Sequence, residues 1–161
     1  MILNTDGSVK GSVGPAGAGG VIRNDRGEWV AGFSAYLGHC TTMAAELKAL
    51  QRGLNCARQL GVNRLEVRVD SKIVVELMTG RHTEQPKYHF LVRRCKQMIC
   101  DTGWEVCIIH CFRETNQIAD TLAKIGTMGG LDMVVYQTPP KEIQSILYSD
   151  KMGFLWPRRR S

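Results

Sequence analysis

The pattern of apolar residues changes its period near residue 42, and this change is the strongest constraint on the fold. Before it, short apolar segments alternate with turns rich in Gly, Asn, Ser and Pro, which is typical of antiparallel strands. After it, apolar residues recur every three or four positions, which is typical of amphipathic helices. Three strands followed by alternating helices and strands predict an α/β fold with helices packed on one mixed sheet.

The predicted elements follow in the order β-β-β-α-β-α-α-β-α, which gives a five-stranded sheet. Strands are predicted at Met1–Lys10, Ala18–Arg23, Trp29–Leu37, Leu65–Val69 and Trp104–Cys111. Helices are predicted at Thr42–Leu60, Ser71–Met78, Tyr88–Asp101 and Asn116–Ile125, with Thr42 capping the first and Asp70 or Ser71 capping the second. Gly129–Pro140 is typical of a turn-rich linker, and Lys141–Tyr148 of a short amphipathic helix.

The length and composition indicate one globular domain. The chain has 161 residues, of which 43% are apolar and 22% charged. The longest stretch without a charged side chain, Trp29–Ala45, contains glycines and polar residues that do not suit a membrane span. Asp6 interrupts the segment in which a secretory signal would need its apolar core. We therefore expect an intracellular protein of the cytoplasm or nucleus, not associated with a membrane.

The six cysteines predict neither a zinc site nor a disulfide framework, because no two of them form a CxxC pair. We expect them to be reduced and mostly buried. They are Cys40, Cys56, Cys95, Cys100, Cys107 and Cys111.

The charge balance favours a polyanionic partner. The net charge is +6, and Arg158, Arg159 and Arg160 near the end of the chain contribute three of these charges. The remaining excess is modest, and many basic proteins bind no nucleic acid, so charge alone does not decide the partner.

Four acidic residues stand where a carboxylate is costly. Asp6 lies within the first strand, Glu46 one turn inside the first helix, Asp70 at the end of the fourth strand and Asp120 in the first turns of the last helix. Their neighbours are apolar or small, which makes burial of the charge expensive, and convergence at one end of the sheet would add mutual repulsion. Divalent cations, which prefer oxygen ligands, would remove both costs.

Each of these acids also has a simpler explanation when it is considered alone. The Asp6-Gly7 pair is a hairpin turn signal, and Asp70 could cap the helix that follows it. Glu46 could be a solvated helix residue, and Asp120 could favour a helix N-terminus by its charge. The joint pattern, rather than any single residue, favours the cation site.

Four motifs occur in the same order as the predicted elements. They are Asn4–Ser8 (NTDGS), Ala44–Leu50 (AAELKAL), Val69–Ser71 (VDS) and His110–Ala123, in which His110 precedes Asp120 by ten positions. Together they resemble the motifs of ribonuclease H type 1 over about residues 2–126. Phe112-Arg113-Glu114 before Asn116, and Pro139-Pro140 followed by Asp150 and Gly153, resemble more narrowly the ribonuclease H-like domains of plant retroelements, over nearly the whole chain.

The resemblance implies a metal-dependent endonuclease that hydrolyses the RNA strand of RNA/DNA hybrids and leaves 5′-phosphate and 3′-hydroxyl ends. Asp6, Glu46, Asp70 and Asp120 match the family's metal-binding carboxylates. They would hold two Mg²⁺ ions about 3.5–4 Å apart, with Mn²⁺ as a substitute; one ion would activate water and the other would stabilise the leaving 3′-oxygen. His110 matches a histidine that moves protons or helps to release product, although a strand-end core histidine is the simpler alternative.

We also expect a division of the chain into parts and a set of nucleic-acid contacts. We expect a catalytic domain at 1–126, an extension at 127–157 that packs on it or forms a linker with a short helix, and a basic tail at 158–161. Thr41 and Thr42 are candidate phosphate ligands, and Asn116 is a further candidate contact. The candidate face for tracking the nucleic-acid backbone consists of Lys87, Arg93, Arg94 and Lys96.

Two departures from the family pattern keep a second function open. Thr42, Met43, Ala44 and Ala45 stand where hybrid-cleaving members often carry Asn or Gln, and only Thr79–Lys87 separates the second and third helices, so the basic protrusion of some bacterial members is missing. The alternative is a retroelement-derived module that binds nucleic acid or protein without cutting.

A related 3′-5′ exonuclease is disfavoured, because it would need carboxylates at i and i+2 of the first strand, and Ser8 follows Asp6 in that spacing. Met1 stands almost directly on the first strand. This position favours a domain cut from a longer chain, such as a polyprotein that carries a reverse transcriptase. We also expect a monomer.

Overall fold

A six-stranded mixed sheet forms the centre of the computed structural model, which describes residues 1–130 and 132–151. Its strands are β1 (Ile2–Val9), β2 (Val13–Arg23), β3 (Trp29–Thr41), β4 (Arg64–Val69), β5 (Glu105–His110) and β6 (Val134–Tyr136). The helices are α1 (Thr42–Gln59), α2 (Lys72–Met78), α3 (His89–Cys100), α4 (Gln117–Gly126) and α5 (Lys141–Lys151). Short 3₁₀ turns at Pro86–Tyr88 and Arg113–Thr115 precede α3 and α4.

The sheet topology places the ends of β4 and β5 beside the middle of β1. The strands lie in the order β5-β4-β1-β2-β3-β6. β1, β4 and β5 run parallel, whereas β1–β2, β2–β3 and β3–β6 are antiparallel. Parallel strands point their carboxyl ends the same way. β4 and β5 end together beside Thr5, because Thr5 pairs with Val69 and Val69 pairs with His110, while β1 continues to Val9.

Helices cover both faces of the sheet because side chains along each strand alternate between the faces. On one face, Leu3 of β1 and Ile22 of β2 pack with buried residues of α1, α2 and α3. On the other face, Val21 packs with Ile118 and Leu122 of α4 and with Ile143 of α5. This second layer holds α4 against the central strands, and α5 contacts α4.

The predicted order of elements is confirmed, but the sheet has one more strand than predicted. β6 lies inside the segment predicted as a linker and pairs with Gly32–Ser34 of β3. Three residues are too few to show an alternating pattern, so only the edge of β3 determines this strand. For a similar reason β2 begins at Val13, before the predicted Ala18, and β3 continues to Thr41, beyond the predicted Leu37: Val13 and Thr41 pair through backbone bonds that need no apolar side chains.

The structure corrects the predicted cap of α1 and decides between the two predicted caps of α2. Thr41, not Thr42, caps α1, because its hydroxyl accepts a hydrogen bond from the Ala44 N–H at 3.2 Å. Ser71 caps α2 by accepting from the Val74 N–H at 3.3 Å. The Asp70 carboxylate is therefore not the cap of α2, and the capping explanation for that residue is wrong.

The cysteines are free, as predicted, but most of them are not buried. Cys56 and Cys95 are buried, Cys40 and Cys111 are partly exposed, and the remaining two are exposed on α3 and β5. The prediction of mostly buried thiols is wrong because Cys107 lies on the face of β5 that the helices leave open and Cys100 lies at the exposed end of α3.

The described part of the chain contains no helix long and apolar enough to cross a membrane. The predicted tail at 158–161 and the Gly153 of the plant-type motif lie outside the described residues.

Candidate active site

Three of the four predicted carboxylates meet where β4 ends beside the middle of β1. Asp6, Glu46 and Asp70 each offer an oxygen, and these oxygens lie within 4.8 Å of one another. Asp6 is 5% exposed and Glu46 is 9% exposed, whereas Asp70 is partly exposed. Three oxygens this close, open to solvent on the Asp70 side, match the ligand chemistry of a hard divalent cation.

A close approach of β1 to α1 sets the distance between Asp6 and Glu46. A Cβ atom at Gly7 would lie 2.5 Å from the backbone carbon of Ala45 and 2.6 Å from the nitrogen of Glu46. Only glycine permits this contact. Asp6 itself pairs with Gly19 in the middle of the β1–β2 ladder, so the hairpin-turn explanation of Asp6-Gly7 is wrong.

Asp120 lies beside this trio and is held differently. Its Oδ2 accepts a hydrogen bond from Lys124 Nζ at 2.8 Å, one turn along α4, and its side chain is 33% exposed. Its negative charge nevertheless raises the pKa of both Asp6 and Asp70. The fourth carboxylate is therefore close enough to act on the trio electrostatically without sharing its tight cluster.

Burial and mutual repulsion make the charged trio costly. Burial above all, and then the neighbouring Glu46 carboxylate, raise the pKa of Asp6 far above its usual range. Burial likewise raises the pKa of Glu46, although a hydrogen bond from Asp6 lowers it in part. Both raised pKa values favour keeping a proton on the Asp6–Glu46 pair in the metal-free protein, and a divalent cation would replace that proton.

Two neighbours partly offset the burial of Asp70. Burial raises the pKa of Asp70, while a hydrogen bond with the Asn116 side chain and the charge of Arg113 lower it. Arg113 also lowers the pKa of Glu46. The Arg113 side chain is exposed and lines a cavity of about 520 Å³ with Glu114 of the same turn and with Gln117, Asp120 and Thr121 of α4.

The comparison with known proteins gives this arrangement a family. Residues 4–126 match the family model described as reverse transcriptase-like. The crystal structure of a type 1 ribonuclease H from the archaeon Halobacterium salinarum superposes with a TM-score of 0.74 at 32% identity, over 78% of this chain and 95% of that one. The chain belongs to the ribonuclease H type 1 superfamily.

Two further relatives of this ribonuclease H-like chain are informative. A candidate ribonuclease H protein of Arabidopsis thaliana is 36% identical over 157 residues, which is 98% of this chain. LC11 ribonuclease H1, solved in complex with an RNA/DNA hybrid, superposes with a TM-score of 0.74 at 30% identity, over 79% of this chain and 96% of that one. The chain spans only 25% of the length of the Arabidopsis protein and 59% of the ribonuclease HI of Halobacterium salinarum.

His110 stands at the same edge of the ribonuclease H-like sheet, at the end of β5. It pairs with Val69, the residue before Asp70, and its side chain is exposed. Its ring contacts Phe112 edge to face, with the ring centroids 5.7 Å apart. The alternative explanation as a core histidine is therefore wrong, because the imidazole is open to solvent.

The predicted nucleic-acid contacts fall on different surfaces. Thr42 is exposed at the start of α1, whereas the Thr41 hydroxyl already caps α1 and lies 2.8 Å from Tyr88 Oη. Asn116 is only 1% exposed, so it lies beneath the carboxylates and not on a contact surface.

Three of the four predicted basic residues lie on one side of α3, and Lys87 lies in the turn before that helix. Lys87 lines a cavity beside α2, and Arg94 lines a groove between α1 and α3. At about 100° per residue, Arg93 falls between Arg94 and Lys96 around α3, so the three side chains span an arc of roughly 160°. Arg93 and Arg94 are exposed, and Lys96 is partly exposed.

The sequence prediction missed three residues that shape this site. Arg113 acts on the carboxylates by charge, and Asn4 and Arg23 belong to a polar chain that leads to Asn116. Arg113 could have been found from its place inside the last motif, seven positions before Asp120. Arg23 carries no such signal, because the register of β1 and β2 alone brings it to Asn4.

Proposed function

We propose that this chain is a divalent-metal-dependent endonuclease that hydrolyses the RNA strand of RNA/DNA hybrids with two bound cations. The observation that carries the proposal is the cluster of Asp6, Glu46 and Asp70 oxygens within 4.8 Å at the strand edge. The similarity to LC11 ribonuclease H1, a protein solved with an RNA/DNA hybrid, supports the choice of substrate.

The residues present fit Mg²⁺, with Mn²⁺ as a substitute. Asp6 and Glu46 are buried acids whose pKa values are raised by desolvation, so a cation would relieve a cost that the protein otherwise carries. Asp70 completes the cluster, and Asp120 supplies a fourth carboxylate beside it. When bound, such cations supply Lewis-acid chemistry and neutralise the charge of a phosphate.

Residues around the carboxylates would bind and orient the substrate. Arg113 carries a guanidinium that only donates hydrogen bonds, and it stands exposed next to the acidic cluster, where a phosphate would meet it. His110 exposes an imidazole at the same edge and would move a proton at the leaving oxygen. Thr42 at the start of α1 offers a hydroxyl to a neighbouring phosphate.

The test is cleavage of labelled RNA/DNA, RNA/RNA and DNA/DNA duplexes in Mg²⁺, Mn²⁺ or EDTA. We expect cutting of the RNA strand of the hybrid alone, dependent on the cation, with 5′-phosphate products. Asp70→Asn keeps the side-chain shape but loses a ligand, so cleavage should fall to near background while hybrid binding persists. Asp132→Asn, at an exposed position away from the strand edge, is the matched control. Cleavage by Asp70→Asn at the parent rate would refute the assignment.

One observation favours a second candidate, a nucleic-acid-binding module without nuclease activity. Met43 and Ala44 occupy the helix start where hybrid-cleaving relatives often present polar side chains, and both are partly exposed. The same assay separates the two functions, since this alternative predicts hybrid binding without cleavage in either metal.

A further inference from the structure

A chain of side-chain hydrogen bonds runs from the end of β2 to the acidic cluster. Arg23 Nη2 donates to Asn4 Oδ1 at 3.3 Å, and Asn4 Nδ2 donates to Asn116 Oδ1 at 3.0 Å. Asn116 Nδ2 donates to the Thr5 carbonyl at 3.0 Å, and the Asn116 side chain lies close enough to the Asp70 carboxylate to lower the pKa of Asp70 by hydrogen bonding. The cationic end of this chain is partly exposed, and its acidic end is a predicted metal ligand.

Both amides are unusual for their positions. Asn4 is 2% exposed in the centre of the sheet, where it pairs with Val21 of β2 and where a polar side chain is costly unless it is hydrogen-bonded. Asn116 stands at the N-cap of α4, but its side chain makes no capping bond to that helix, which is the usual role of asparagine there. Both side chains therefore take part in this series of hydrogen bonds and do not stabilise the strand or cap the helix to which they belong.

The two ends of this series of hydrogen bonds, Arg23 and Asp70, fix the direction of every bond between them. A guanidinium only donates, so it requires the oxygen of Asn4, and this turns the nitrogen of Asn4 toward Asn116. Asn116 then accepts with its oxygen and presents its nitrogen to the Thr5 carbonyl and Asp70, which only accept. An amide can exchange its oxygen and nitrogen by a flip that hardly changes its shape, and these hydrogen bonds permit only one of the two orientations.

We propose that Asn4 is a positioning residue for Asp70, which acts through Asn116 in a direction set by Arg23. The inference rests on the proposed function, because Asp70 is there a metal ligand. Hydrogen-bond partners behind metal ligands typically change metal affinity by roughly 10–100-fold when they are lost. Asn4 touches neither the metal ligands directly nor the substrate side of the site, so its effect should appear in metal binding and not in hybrid affinity.

The experiment measures the Mg²⁺ dissociation constant by calorimetry without hybrid, and kcat and KM for hybrid cleavage as Mg²⁺ is varied. Asn4→Leu retains the approximate volume but removes the donor to Asn116. We expect its Mg²⁺ dissociation constant to rise about tenfold or more, with KM for the hybrid unchanged and kcat restored at high Mg²⁺. Ser34→Ala is the matched control, because Ser34 is also a buried strand residue, and its hydroxyl donates to the Leu122 carbonyl outside this chain of bonds.

A pair of variants at Arg23 tests the direction of the hydrogen bonds. It also tests the inference if Asn4→Leu does not fold. Arg23→Lys keeps a donor-only group and should retain the parent's Mg²⁺ affinity, whereas Arg23→Met removes the donor and should weaken it. Parent affinity in Asn4→Leu, or equal affinities in the two Arg23 variants, would overturn the inference and leave the nuclease proposal intact. Failure of the parent chain itself to bind Mg²⁺ would overturn the proposed function.

Discussion

The substitution Asp6→Asn should stabilise the metal-free protein at neutral pH. The Asp6 Oδ1 accepts a hydrogen bond from the Gly7 N–H at 3.0 Å, and the other side of the carboxyl group faces Glu46. Asparagine retains the acceptor for Gly7 and offers an N–H to Glu46, so it imitates the protonated form of Asp6. Burial, with the nearby Glu46, raises the pKa of Asp6 from 3.8 to about 10, which favours that protonated form at pH 7 in the metal-free protein.

The magnitude follows from the proton that folding takes up. In the unfolded chain Asp6 ionises near pH 3.8, so the folded state binds an extra proton between that pH and its own raised pKa. The free energy of unfolding is therefore highest below pH 3.8. It falls as the pH rises, by about 1.4 kcal/mol per pH unit. At pH 7 the loss of unfolding free energy amounts to at most about 4 kcal/mol. Asp6→Asn would remove this loss.

Urea denaturation of parent and variant in EDTA at several pH values between 4 and 8 measures this effect. The stabilisation by Asp6→Asn should be near zero at pH 4 and grow with pH. Saturating Mg²⁺ should reduce it, because the cation then replaces the proton in the parent only. Asp132→Asn, an exposed substitution of the same type, should show no such trend. Parallel stability curves for parent and Asp6→Asn would refute the reasoning.

Three further predictions concern the surroundings of the site. His110→Ala should slow hybrid cleavage by roughly 10²–10⁴-fold without lowering the melting temperature, because the side chain is exposed; a large loss of stability would argue for a packing role instead. Reversing Arg93 and Arg94 to glutamate should weaken hybrid binding across sequences and flatten its salt dependence, and an unchanged salt slope would remove these residues from the interface. Thr41→Val should cost about 1 kcal/mol in denaturant unfolding through the lost cap of α1, and a variant as stable as the parent would contradict that role.

The sequence predicted the site more accurately than the boundaries of the sheet. Buried carboxylates are informative because their cost demands a compensating partner, and Asp6, Glu46 and Asp70 indeed lie together. Local patterns could not show β6, because its pairing partner in β3 is about a hundred residues earlier in the chain. Backbone pairing of this kind depends on the edge that a neighbouring strand offers and not on the strand's own side chains.

The polar chain behind the site shows the same limit. Asn116 has the residue type of an N-cap, and its sequence position gives no sign that its amide serves Asp70 instead. Asn4 and Asn116 are 112 positions apart, and only the packing of α4 on the sheet brings them together. Residues that bear charge in costly places can be recognised from sequence, whereas neutral residues that orient them become visible only in three dimensions.

The close contact at Gly7 means that the spacing of the acidic cluster is a property of the backbone. β1, which carries Asp6, and α1, which carries Glu46, approach each other closely because residue 7 has no side chain. Any Cβ at Gly7 would collide with the start of α1. A larger residue would separate the two carboxylates even though every reactive atom remained. In a library of all single substitutions, position 7 should therefore be depleted as strongly as the acids themselves, although it contributes no functional group to the reaction.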